Sequence, residues 1–140
     1  MERVSPPALR ASLALLGAAA LLAGCGGGTP DPVVDKDGTL RLRLDEYRIR
    51  PTAIKVRSGR IRLLARNEGR LTHNVTVEEA TDEEGATPIV YGRTETMQPG
   101  TSAPGVTVRL FPGHYRLVCT IGNHENLGQY AELTVTQAPP

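Results

Sequence analysis

From Thr39 onward the apolar residues of this chain return at every second position, and that period limits what it can fold into. In TLRLRL, Leu40, Leu42 and Leu44 alternate with Arg41 and Arg43. Ile54 and Val56 alternate with Lys55 and Arg57. Ile61, Leu63 and Ala65 alternate with Arg62 and Arg66, and Leu64 breaks the pattern. Side chains two apart share one face of a strand, so each segment offers an apolar face to a core and a charged face to water. Val75 and Val77, Val106 to Leu110, Tyr115 to Cys119 and Tyr130 to Thr136 continue the series. Turn signals such as Ser58-Gly59 and Asn67-Glu68-Gly69 separate the segments. With 15 glycines and 11 prolines in 140 residues, short strands are favoured over long helices. The expectation is an all-β sandwich of six to eight strands. Residues 79–104 are the least regular part: ATDEEGATP reads as an acidic loop, and Ile89-Val90-Tyr91 fits a strand fragment or one turn of helix.

The first 24 residues have a different character. Arg3 and Arg10 make a basic start, and Ala11 to Ala23 is an uncharged apolar run. The run falls short of the roughly 20 apolar residues that span a bilayer. It ends in Leu22-Ala23-Gly24-Cys25, which resembles the bacterial lipobox. The expectation is a lipoprotein signal peptide over 1–24, a lipidated Cys25, and a flexible Gly-, Pro- and Asp-rich linker over 25–38. The domain proper is then 39–137, outside the cytoplasm and tethered to a bacterial cell membrane. Only Cys119 remains within the domain, so a disulfide framework is excluded, a Cys25–Cys119 bridge being the competing reading.

Charge narrows the function classes. The chain carries a formal net charge of +1, and without Arg3, Arg10 and Glu2 it holds 14 basic and 14 acidic side chains. Five aromatic residues and no Trp argue against nucleic acid as a partner. The arginines between Arg41 and Arg70 alternate with Leu and Ile. Their alternation reads as the solvated outer faces of strands, a dedicated site for an acidic partner being the competing reading.

The chemistry concentrates in GHYRLVCTIGNHENLGQYAELTV, residues 113–135. A strand delivers Cys119 to its end, a five-residue step reaches His124, another reaches Gln129, and a new strand follows. His73 lies far upstream, before NVTV. One thiolate, two imidazoles and a weak axial donor form the ligand set of a blue-copper electron-transfer site. Each residue has a plainer reading alone: a buried cysteine is commonly a small apolar filler, and His73 could be a loop residue. Zinc also accepts Cys/His sites, although the affinity order favours copper.

Asn67-Glu68-Gly69-Arg70-Leu71-Thr72-His73-Asn74-Val75, Phe111-Pro112-Gly113-His114-Tyr115 and Cys119 to Val135 occur in that order, and with them residues 39–136 resemble the cupredoxins of the plastocyanin/azurin type. The resemblance implies a Greek-key β-sandwich and one type 1 copper ion. It makes His73, Cys119 and His124 the ligands, with both imidazoles binding through Nδ1. It also implies that Asn74 ties the two ligand loops together by hydrogen bonds. The position that is commonly the axial methionine is Gln129, as in stellacyanin-like proteins, and an amide oxygen favours Cu(II) more than a thioether does. Neither Met1 nor Met97 falls near this loop in sequence. His114 matches no ligand position. His124 is then the electron exit, with Leu127 and Pro112 at the docking surface.

The function implied is electron transfer between membrane-associated redox proteins through small transient contacts, by a monomer with no small-molecule substrate. Enzymatic copper proteins of this kind need further domains and more histidines. The alternatives are a copper-delivery protein and a cupredoxin-like domain that has lost its metal.

Overall fold

In the computed structural model, residues 1, 38–83 and 85–137 are described. The expected signal peptide apart from Met1, the lipidated Cys25 and the linker apart from Gly38 lie outside them. The described residues form nine strands and no helix. These are β1 (Thr39–Asp45), β2 (Arg48–Arg50), β3 (Ala53–Arg57), β4 (Gly59–Asn67), β5 (Thr76–Glu79), β6 (Val90–Arg93), β7 (Val106–Leu110), β8 (Gly113–Val118) and β9 (Tyr130–Thr136). The all-β sandwich is as expected, but the strand count is nine rather than six to eight. β2 spans three residues with a single buried side chain, Ile49, too short for a period-two signal. β6 lies in the irregular middle stretch and is almost wholly exposed, so no apolar alternation announces it; it makes Val90 and Tyr91 strand, with Ile89 just before it.

The strands form two mixed sheets, β2-β1-β4-β7 and β3-β9-β8-β5-β6. β1 runs parallel to β4, with Leu40 opposite Leu63, Leu42 opposite Ala65 and Leu44 opposite Asn67. β3 runs parallel to β9, with Ile54 opposite Leu133 and Val56 opposite Val135. A one-residue slip in either register would turn the apolar set to water, so the core itself holds the register. That core includes Leu40, Leu42, Leu44, Leu63, Val77, Leu117 and Leu133, all almost fully buried. Among the described residues every buried hydrophobic lies between Leu40 and Val135, so a chain that begins in the linker carries the whole of this core. Leu64, the break in the alternation, sits half-buried on the outer side of β4.

The pairing brings certain strand ends to one pole. The parallel β1 and β4 both finish there, β8 finishes there, and β9, antiparallel to β8, begins there. The end of β4, the residues after β8 and the residues before β9 are therefore neighbours although they are far apart in sequence.

Leu117→Ala removes a fully buried side chain at the centre of the β5-β8-β9 sheet. It is expected to lower unfolding free energy by about 2–5 kcal/mol, read from guanidinium denaturation; a loss under about 1 kcal/mol would mean that this part of the core is loosely packed.

Candidate metal centre

Four residues named from the sequence meet or adjoin at this pole. His73 lies between β4 and β5, Cys119 directly follows β8, His124 lies in the turn after it, and Gln129 directly precedes β9. His73, Cys119 and Gln129 are buried, and His124 is half-buried.

Each is fixed by local structure. His73 is held by an antiparallel bridge to Met97: its N–H donates to Met97 O at 3.1 Å, and Met97 N–H donates to His73 O at 2.7 Å. Met97, remote from the ligand loop in sequence, is thus a direct neighbour of a ligand-type residue in space. The 120–128 turn is closed by its own backbone. His124 N–H donates to Ile121 O at 3.2 Å, and Gln129 N–H to His124 O at 3.0 Å. Cys119 N–H donates to Gln129 O at 3.1 Å. Gly122 (φ 54°) and Gly128 (φ 105°) supply the left-handed backbone on either side of His124, a conformation other residues adopt only with strain.

Two asparagines then join the segments. Asn74 Nδ2 donates to Thr120 Oγ1 at 3.0 Å, and its Oδ1 accepts from Thr120 N–H at 2.9 Å. The residue after His73 is thereby fastened to the residue after Cys119, the tie that the resemblance assigned to Asn74. Asn67, fully buried, donates to Leu71 O at 2.7 Å and to Met97 O at 3.0 Å, and accepts from Gly69 N–H at 2.9 Å. In the sequence Asn67 belongs to a turn signal and opens one of the stretches that carry the resemblance, and neither assigns it this bracing role.

The donor atoms converge. Cys119 Sγ is 3.9 Å from His73 Nδ1 and 3.6 Å from His124 Nδ1, and the three lie within 4.8 Å of one another. A divalent ion about 2.3 Å from sulfur and about 2.0 Å from nitrogen, in trigonal arrangement, needs S···N separations of about 3.7 Å. The two observed distances bracket that value. Cys119 is free, not bridged. The two imidazoles sit 5.1 Å apart between centroids, and the Tyr47 ring packs edge-on against His124 at 5.3 Å.

Gln129 adds a further mark. Its Nε2 donates to Asp45 O at 2.8 Å. Its Oε1 is, among the described residues, the one buried side-chain nitrogen or oxygen without a hydrogen-bond partner. Burying such an oxygen unserved costs about 1–3 kcal/mol, and an electrophile at the site would offset that cost. The donor set therefore fits a cation.

Glu46 is a participant that no sequence signal marked. Its Oε1 accepts from the N–H groups of Arg70 at 2.6 Å and Leu71 at 2.8 Å. His73 Nδ1 is turned to the sulfur and Nε2 points at the same oxygen, 3.4 Å away, where it can donate when Nδ1 serves as a ligand. The Leu71 N–H, more than those of Arg70 and His73, holds the Glu46 carboxyl below the usual carboxylate range, against the opposing effect of desolvation. Hydrogen bonding of this kind orients a ligand imidazole and makes it a stronger donor.

The expected docking residues separate. Leu127 is exposed in the same turn as His124. Pro112 is not at this pole: it precedes β8 whereas Cys119 follows it, so the length of the strand, about 20 Å, lies between them. Sequence order suggested proximity because both belong to motifs, but a strand carries its two ends to opposite poles. His114 is exposed at the start of β8.

No protein-family model matches the chain, and no curated protein sequence does. Solved structures do. A dithionite-reduced auracyanin from Roseiflexus castenholzii is 20% identical, with a TM-score of 0.61, covering 73% of this chain and 98% of its own. Auracyanin B is 22% identical at a TM-score of 0.61, covering 75% and 94%. Auracyanin A of Chloroflexus aurantiacus, described as a "blue" copper protein, is 14% identical at 0.58, covering 71% and 100%. The likeness establishes the cupredoxin-like sandwich.

Asn67→Ala leaves Gly69 N–H and Leu71 O without their partner and takes one of two donors from Met97 O, which keeps the His73 N–H. Stability is expected to fall by about 3 kcal/mol in guanidinium unfolding; a change under about 1 kcal/mol would remove Asn67 from the support of this pole.

Proposed function

We propose that this protein is a blue-copper electron carrier, held outside the cytoplasm at a cell membrane and exchanging electrons with membrane-associated redox proteins. The convergence of Cys119 Sγ with His73 Nδ1 and His124 Nδ1 carries the reading. One soft thiolate and two imidazoles suit both oxidation states of copper, and the affinity order favours copper over zinc. Copper bound there supplies a one-electron couple. The chain's part is to keep the ligand geometry constant while charge changes. Asn74 locks the His73 and Cys119 segments together, the self-bonded turn fixes His124, and Asn67 and Glu46 brace the loop before His73. Groups set beforehand need not reorganise when an electron arrives.

Gln129 is the axial donor in this reading, supported by its unpartnered Oε1. An amide oxygen stabilises Cu(II) relative to a thioether and lowers the potential. His124 is the exit for the electron: it is half-buried where His73 is fully buried, and Leu127 beside it gives an apolar rim. Contacts with partners are small and transient. The carrier acts as a monomer, without a small-molecule substrate and without enzymatic turnover. The lipobox-like Leu22-Ala23-Gly24-Cys25 and the spacer up to residue 38 support the membrane tether.

The test is residues 26–140 reconstituted with Cu(II). Intense visible absorption that bleaches reversibly on reduction, with a matching electron spin resonance signal, is expected, and Cys119→Ser is expected to abolish the colour. Colour that survives that substitution would take the thiolate out of the site. A chain that binds only Cu(I) and surrenders it to a competing chelator would be a delivery protein instead. In the same preparation Gln129→Met is expected to raise the reduction potential; an unchanged or lower value in a redox titration rules out the axial role.

A further inference from the structure

The arginines that the sequence distributes over outer strand faces are gathered by the fold onto one sheet. The strands of the β2-β1-β4-β7 sheet carry Arg41, Arg43, Arg48, Arg50, Arg60, Arg62, Arg66 and Arg109, all exposed and alternating with core residues. Among the residues of these four strands the one acid is Asp45, engaged with Arg48 and Arg50. There is no lysine among them. The strands of the other sheet mix signs, with Lys55, Arg57, Arg93 and Arg116 against Glu78, Glu79 and Glu132. Solubility asks only for charge, and the second sheet shows that this chain meets that need with both signs.

The register makes the asymmetry costly. Arg43 stands directly opposite Arg50 on one side and Arg66 on the other, and Arg60 stands opposite Arg109. Like charges in directly opposed positions destabilise a sheet. Across the β2-β1-β4 row, Arg50, Arg43 and Arg66 form a line of three guanidinium-bearing side chains roughly 10 Å wide. Beside it lies a hollow of about 550 Å³ lined by Arg41, Arg43 and Arg66, with Leu64, Ala65 and Ala103 among its apolar residues. The guanidinium fork pairs with phosphate in bidentate fashion, and the hollow has room for a headgroup projecting from a plane.

We propose that this arginine face docks on an anionic phospholipid surface, with the hollow between β1 and β4 taking a phosphodiester headgroup. The chain path favours a membrane over an acidic protein. Residues 25–38 lead directly into β1, the strand that bears Arg41 and Arg43. Read as the linker that its Gly, Pro and Asp content suggests, a stretch of fourteen residues spans about 20 Å on average, so a chain lipidated at Cys25 keeps this face within reach of the bilayer. A lipid at Cys25 ties the chain to the bilayer but does not orient the domain on it; a basic face attracted by anionic headgroups does. With the sheet flat on the membrane, the strands lie along the surface and the pole bearing His124 faces sideways, toward partners in the same membrane. This orientation rests on the carrier reading, and the choice of a membrane on the lipidated Cys25, but the docking itself can be tested without metal and without the Cys25 lipid.

The experiment uses residues 26–140, metal-free, sedimented with phosphatidylcholine vesicles with or without phosphatidylglycerol. Binding is expected only to the anionic vesicles and is expected to weaken as the Debye length shrinks from about 30 Å at 0.01 M salt to about 8 Å at 0.15 M. Arg43→Gln with Arg66→Gln is expected to weaken partition about 30-fold at low salt, without lowering the thermal midpoint, because a like-charge pair is relieved. Arg60→Gln with Arg109→Gln, another opposed pair, is expected to act in the same direction and gives the readout again. Lys55→Gln with Arg57→Gln removes equal charge from the other sheet and is expected to change partition less than about 3-fold. Equal losses from either sheet would show attraction by net charge alone and overturn the proposal. Absence of vesicle binding, with retention on immobilised polyglutamate, would overturn it in favour of an acidic protein partner.

Discussion

The amide of Asn74 bridges two segments that the chain separates by 46 residues. The two sheets bring β4, β8 and β9 to one pole, but sheet pairing alone orders strands, not the loops beyond their ends. Pairing between Asn74 and Thr120 extends order past the last rung, from the residue after His73 to the residue after Cys119. Because both donor and acceptor of the amide are used, the two loops move as one body. Asn67 does the same on the other side, taking in Leu71, Met97 and Gly69. The position of the sulfur relative to two rings is thus determined by hydrogen bonds that are buried or partly so, which are costly to leave unmade where water cannot replace them.

Much of this was legible in the chain. Alternation of Leu with Arg identified β1 and β4 because one face of each is buried and the other solvated, and the pattern carries that difference directly. The steps from Cys119 to His124 and Gln129 were legible because a short turn keeps residues close in space. Other features were not. β2 and β6 are too short or too exposed to show a period. Glu46 lies 27 residues before His73 and meets it only because the β1–β2 turn comes to the pole where β4 ends. Met97 reaches His73 through one bridge of backbone groups, which leaves no trace in side-chain type. Pro112 was misplaced for the opposite reason: adjacency in motif order does not become adjacency in space when a whole strand intervenes.

The charge distribution followed the same division. Each strand's arginines could be assigned to an outer face from alternation alone. That β1, β2, β4 and β7 would share a sheet depends on parallel and antiparallel pairings between residues far apart in sequence. A chain with a formal net charge of +1 therefore has one strongly cationic side, and its overall composition conceals it.

Gly69 has a narrower significance. A Cβ built on it would fall on the Glu46 carboxylate and close to the backbone of Asp45. The absent side chain is the space in which that carboxylate reaches Arg70, Leu71 and His73. Residues 46 and 69 are consequently not independent in descent. Any lineage that enlarges position 69 must first shorten or turn away the acid at position 46, and one that has lost the acid still has the Asp45 backbone to accommodate there.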